Sequence, residues 1–146
     1  MWSKQKSLIL SIVMTVITFF LIIAGIVFMP RIMELYSEAS GVVNYGHIMT
    51  ALYVSAVFGL LCTFSLFRLL INIKKGEVFI HKNVKLLRGI SWCCVAVGLI
   101  YLGLGREHIW LVLLSFAAMF FGLILRVIKN VFERAITIKE ENEFTI

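Results

Sequence analysis

The chain has 146 residues, of which 61% are hydrophobic and only 15% charged, with a formal net charge of +6; soluble domains average about 45–50% apolar and about 25% charged residues. A soluble enzyme of this length lacks the polar residues to cover such long uncharged runs, so the composition excludes one. The three cysteines (Cys62, Cys93 and Cys94) all fall in apolar segments, which excludes a disulfide scaffold, and twelve Phe with a single Pro exclude disorder.

The first uncharged run lies between Lys6 and Arg31 and predicts a span at about 8–29, long enough as a helix to cross about 30 Å of hydrocarbon. It exceeds the about 7–15 apolar residues of a signal peptide and lacks an A-x-A-like cleavage site, so the expectation is a retained anchor with Met1 or Trp2 still at the start. After Pro30, a short surface helix is expected over 31–38, broken by Gly41 and Gly46. The second span is expected at about 47–73, continuing past Arg68, with Lys74 and Lys75 at its C-terminus and Gly76 as its stop. The third and fourth, at about 84–105 and 108–129, are joined only by Arg106, Glu107 and His108, which predicts a tight antiparallel hairpin.

Of the 14 Lys and Arg, all but Arg31 and Arg106 fall on one side of this four-span plan. The positive-inside rule therefore places both termini and the 74–88 loop in the cytoplasm, within a cell membrane. Lys74, Lys75, Lys82, Lys85 and Arg88 form a basic stripe at headgroup height, where lipid is the expected contact and direct nucleic-acid binding is not expected. Glu34, Glu38, His47, Glu107 and His108 fall on the other side, read as a hydrated rim because their spacing is not that of metal ligands.

Apolar residues recur past Arg126 as Val127, Ile128, Val131, Phe132, Ala135 and Ile138. Helix four is thus expected to leave the membrane as an amphipathic cytoplasmic stalk with a tail, 130–146, its apolar stripe packing on the cytoplasmic ends of helices two and three or, alternatively, offering a groove-binding face to a partner. The tail KEENEFTI places carboxylates against the negative end of the helix dipole, so it is expected to fray. Phe132, Glu140, Glu141, Asn142, Glu143, Phe144 and Ile146 are the candidate partner-binding residues: acidic positions with apolar anchors.

No Asp, Glu or Lys falls mid-membrane, which argues against proton-coupled export, and no C-x-x-C pair supports thiol redox chemistry. Catalytic residues, cofactor and metal are all expected to be none. The small-residue pairs Ser55 with Gly59 and Ala118 with Gly122 predict close helix packing, within one chain or in a homo-oligomer. The fold class is accordingly all-α, an integral membrane four-helix bundle with both termini cytoplasmic.

The segments GEVFIHKNVKLLRGISW (76–92) and VFERAITIKEENEFTI (131–146) resemble the YoaS-like small bacterial membrane proteins, a domain-of-unknown-function family, and the likeness spans nearly the whole chain. In that pattern a Ser or Thr able to cap helix three stands where this chain has Ile80, and Asp and Leu stand for Glu143 and Phe144. The resemblance implies four helices, no established enzymatic activity and a small cytoplasmic helix-turn-helix regulator as a frequent genomic neighbour. The resulting expectation is a non-enzymatic bacterial inner-membrane protein that tethers or modulates such a DNA-binding regulator. The alternative is an accessory or immunity component of a transport or membrane-stress system.

Overall fold

A computed structural model describes residues 3–42 and 44–144; Met1, Trp2 and Ile146, named above, lie outside the described residues. Among the described residues four α-helices follow one another: α1 (Lys4–Ser40), α2 (Gly46–Lys74), α3 (His81–Leu104) and α4 (Ile109–Phe144). Each is long and apolar enough to cross a membrane, the pattern of a multi-pass membrane protein.

Helix α1 starts where the Ser3 hydroxyl accepts from the backbone N–H of Lys6 at 3.4 Å. It runs on through Pro30, so the separate surface helix expected over 31–38 is instead the last quarter of α1. Proline removes one backbone donor and a single turn's bond, a defect that intact turns on both sides bridge in a long apolar helix. The stop comes at Gly41, whose φ of 70° is the left-handed cap and whose N–H reaches the Ser37 carbonyl at 2.9 Å.

Close backbone approach joins only consecutive helices: α1 to α2, α2 to α3 and α3 to α4. Among the described residues, α1 and α4 come no nearer than opposite walls of a cavity of about 280 Å³, at the end away from the 75–80 elbow. The expected four-helix bundle therefore packs its helices backbone to backbone in chain order. Helix α3 is its spine and buries seven residues, including Asn83, Leu87, Ser91 and Tyr101, whereas α1 buries only Thr15 and Met33. Side chains such as Phe20, Leu21 and Phe28 on α1 and Trp110, Phe120 and Phe121 on α4 point outward, a belt suited to hydrocarbon.

The closest packing is between α3 and α4. A Cβ added at Gly98 would sit 3.1 Å from the Ser115 carbonyl, and one at Gly122 3.1 Å from the Ser91 carbonyl. Ser91 Oγ donates to the Gly122 carbonyl at 2.7 Å, while the fully buried Ser115 Oγ has no hydrogen-bond partner among the described residues. This asymmetry predicts that Ser91→Ala lowers stability by about 1 kcal/mol and Ser115→Ala costs little, because only the first removes a formed bond. Thermal melts of the two variants in one detergent check the difference. Gly122 thus packs as the Ala118 and Gly122 pair suggests, but onto antiparallel α3, and Gly59 meets Ile22 of α1.

Candidate functional site at the elbow

The elbow between α2 and α3 begins at Gly76, whose φ of 83° turns the chain out of the helix. Backbone N–H groups of Gly76 and Glu77 return to the carbonyls of Ile73 and Asn72, both at 3.0 Å, and satisfy the end of α2. At the start of α3, Ile80 occupies the N-cap with extended geometry and no side-chain bond. The missing cap is replaced from inside the helix. Asn83, fully buried, donates through Nδ2 to the carbonyls of Glu77 (2.9 Å) and Val78 (2.7 Å), and its Oδ1 accepts from Asn72 Nδ2 at 2.8 Å.

Two carbonyl acceptors on Nδ2 and an amide donor on Oδ1 fix the orientation of the Asn83 amide. One side chain thereby ties the end of α2, the elbow and the start of α3 together. Sequence reasoning placed Asn83 in the elbow motif and assigned it no role. The available signal was an amide at the third helical position behind an apolar N-cap, where a side chain can reach back over the preceding turn.

On one side the elbow meets α4. Phe79 packs edge-on against Phe132 with ring centroids 5.4 Å apart, and His81 Nε2 lies 3.1 Å from Glu140 Oε1. Arg88 donates to Glu133 at 3.1 Å, Lys129 reaches the same carboxylate at 3.4 Å, and Arg126 lies over the Trp92 ring at 5.2 Å. Two of the candidate partner-binding residues, Phe132 and Glu140, therefore contact the elbow of their own chain. Glu141, Asn142, Glu143 and Phe144 occupy the exposed last turn of α4, with Phe144 91% exposed. The described part of the tail is helical through Phe144, and His81 with Glu140 joins the late turns of α4 to the start of α3; residues 145 and 146 lie outside the described residues.

On the other side, α2 and α3 diverge around a cleft of about 520 Å³ with four cations, Arg68, Lys75, Lys82 and Lys85, on its walls. Phe67, Ile71 and Leu86 form its apolar lining. Arg68 lies over the Phe64 ring at 5.4 Å, and among the described residues none of the four cations is ion-paired. The expected basic stripe thus divides: Lys75, Lys82 and Lys85 come together, joined by Arg68, while Arg88 turns to α4 and Lys74 is exposed outside the cleft lining. Further along α2, a second cavity of about 330 Å³ lies against α1, lined by Thr15, Val16, Phe19, Phe20, Thr63, Phe64 and Phe67. Phe67 is common to both.

At the opposite end His108 lines the α1/α4 cavity with Met33, Tyr36 and Trp110. Among the described residues no three His, Cys, Asp or Glu side chains form a group that could hold a metal ion; Cys62 of α2 meets Cys93 and Cys94 of α3, and all three are half-buried free thiols.

The chain belongs to the family described as protein of unknown function (DUF2975), whose profile matches residues 7–146. No curated protein and no solved structure matches it.

Proposed function

We propose that this member of the DUF2975 family is a non-enzymatic tether of the bacterial inner membrane, holding a small cytoplasmic helix-turn-helix regulator at the end of α4. The single observation that carries this reading is the length of α4, Ile109–Phe144. About 20 of its 36 residues suffice to cross the hydrocarbon, so the remaining turns extend about 24 Å beyond it. The elbow end carries all Lys and Arg except Arg31 and Arg106, and the positive-inside rule turns that end, with both termini, to the cytoplasm.

The contacts of α4 give the residues of its cytoplasmic turns two roles. Phe132, Glu133 and Glu140 brace the helix against the elbow. Asn142, Glu143 and Phe144 then form the docking turn, an apolar anchor among carboxylates that suits a basic DNA-binding domain. A YoaS-like affiliation supports the same partner class through the regulator it implies.

Affinity purification from native membranes, of the full chain beside a version ending at Lys139, tests the tether. The full chain is expected to bring down a small DNA-binding protein that the shortened chain loses by at least about tenfold, the loss of about 1.4 kcal/mol of binding free energy. Equal recovery with both versions, or recovery with neither, overturns it. The Phe-rich cavity between α1 and α2 favours a second reading, an accessory or immunity component that handles an apolar compound. Under that reading deletion shifts sensitivity to membrane-active compounds, and truncation at Lys139 leaves that sensitivity unchanged.

A further inference from the structure

The basic cleft and the Phe-lined cavity adjoin along one helix. Thr63, Phe64, Phe67, Arg68, Ile71 and Lys75 fall within about 140° of one another around the helix and so share one side of α2. From Thr63 to Lys75 this side is about 18 Å long, close to the length of an extended phospholipid acyl chain. Its inner stretch faces the cavity shared with α1, where every lining side chain is apolar or a threonine. Both threonine hydroxyls are spent within their own helices, Thr15 Oγ1 donating to the Ser11 carbonyl at 2.8 Å and Thr63 Oγ1 to the Gly59 carbonyl at 2.7 Å. The outer stretch opens into the cleft where Arg68, Lys75, Lys82 and Lys85 gather without a carboxylate among the lining residues.

From this juxtaposition we infer that α2 carries a binding site for one anionic phospholipid, with the headgroup phosphate among Arg68, Lys75, Lys82 and Lys85 and an acyl chain along Phe64 and Phe67 into the α1/α2 cavity. Unpaired cations at the end of a membrane-spanning helix attract an anionic headgroup. Arginine offers the phosphate a planar pair of donors and each lysine a mobile point charge. The aromatic lining lets a chain enter the α1/α2 cavity without leaving a polar group unsatisfied. The neighbouring cation Arg88 takes no part, because Glu133 holds it on the other side of α3. The site serves the protein in either membrane orientation and stands independently of the tether.

The test uses full-length protein purified in a non-ionic detergent, with phosphatidylglycerol, phosphatidylcholine of the same acyl chains, glycerol phosphate and inorganic phosphate as probes. Retained lipid is read by native mass spectrometry and protection by thermal melting. Phosphatidylglycerol is expected to remain bound and raise the Tm, with the other three giving no comparable shift. In Lys75→Gln/Lys82→Gln/Lys85→Gln, its affinity is expected to fall at least about tenfold, with the Tm in phosphatidylcholine unchanged. Lys4→Gln/Lys6→Gln/Lys139→Gln, which removes equal charge elsewhere, is expected to keep the affinity. If the first triple variant does not fold, Lys82→Gln alone is expected to show a smaller loss in the same direction. Equal protection by phosphatidylcholine overturns the proposal, as does equal protection by inorganic phosphate or glycerol phosphate, which would make the cleft a soluble-anion site. An equal loss in both triple variants, or in neither, also overturns it.

Discussion

Replacing Gly98 or Gly122 by leucine is expected to separate α3 from α4, lowering stability by about 3 kcal/mol or more and reducing the yield of monodisperse protein. At Gly98 even a methyl group would stand 2.5 Å from Met119 Cγ, 3.1 Å from the Ser115 carbonyl and 3.3 Å from the Met119 backbone nitrogen. Methionine can move, but a helix backbone can yield only by moving the whole helix. At Gly122 the obstacles are the Ser91 carbonyl at 3.1 Å, Val95 at 3.1 Å and Cys94 Cβ at 3.3 Å. In a lipid environment such close approach is a principal source of helix association, because moving apolar side chains from lipid into an interface gains little.

Gly25 and Gly103 make the comparison specific, since a Cβ added at either meets nothing within 4 Å. Gly25→Leu and Gly103→Leu remove the same flexible residue from an apolar helix and add the same volume. Their melting temperatures are expected to stay near that of the parent protein. Were all four leucine variants to melt alike, the seam would not hold α3 to α4.

That seam shows what a single sequence conceals. The four apolar runs and the stop at Gly76 were legible because each depends on local properties: run length, or one residue's tolerance of a positive φ. The seam was not. Its members are Ser91 with Gly98 and Ser115 with Gly122, each seven residues apart and therefore two turns along one face. The short 106–108 link already predicts that α3 and α4 run antiparallel; reading the four residues as one feature requires the register that sets Ser91 opposite Gly122. A search for pairs four apart found Gly122 and missed Gly98.

The basic stripe divides for a geometric reason. Residues three apart lag by about 60° per step around a helix, so Arg88 lies about 120° from Lys82. That rotation carries Arg88 to Glu133 and leaves Lys82 and Lys85 in the cleft with Lys75 and Arg68. The apolar stripe of α4 predicts packing at this end of α2 and α3, but not that Phe132 would meet Phe79 and Glu140 would meet His81. Both contacts depend on the angle at which the elbow returns the chain, where Asn83 bonds to Asn72, Glu77 and Val78.

Asn83→Asp is accordingly expected to damage the elbow more than Asn83→Ala, and Asn83→Ala more than Asn72→Ala. Alanine at 83 abolishes three hydrogen bonds at a fully buried position and strands the Asn72 amide. Each net bond is worth about 1 kcal/mol, with a further penalty for any group left buried and unpaired, so a loss of about 3 kcal/mol is expected. Alanine at 72 removes only the bond to Asn83 Oδ1, and a loss of about 1 kcal/mol is expected. Aspartate preserves the shape of Asn83 but turns its donor into an acceptor facing the carbonyls of Glu77 and Val78. An ionised carboxylate there has no donor to replace those bonds and pays the cost of burial as well. Hydrogen exchange locates the effect, which should appear first at the amides of Asn83 and Val84, both bonded to the Ile80 carbonyl. It should reach the α3/α4 seam only in the aspartate variant, where the elbow no longer sets the start of α3. If Asn83→Ala and Asn72→Ala melt together and exchange alike, Asn83 is one polar contact among several and does not govern the angle at which α3 begins.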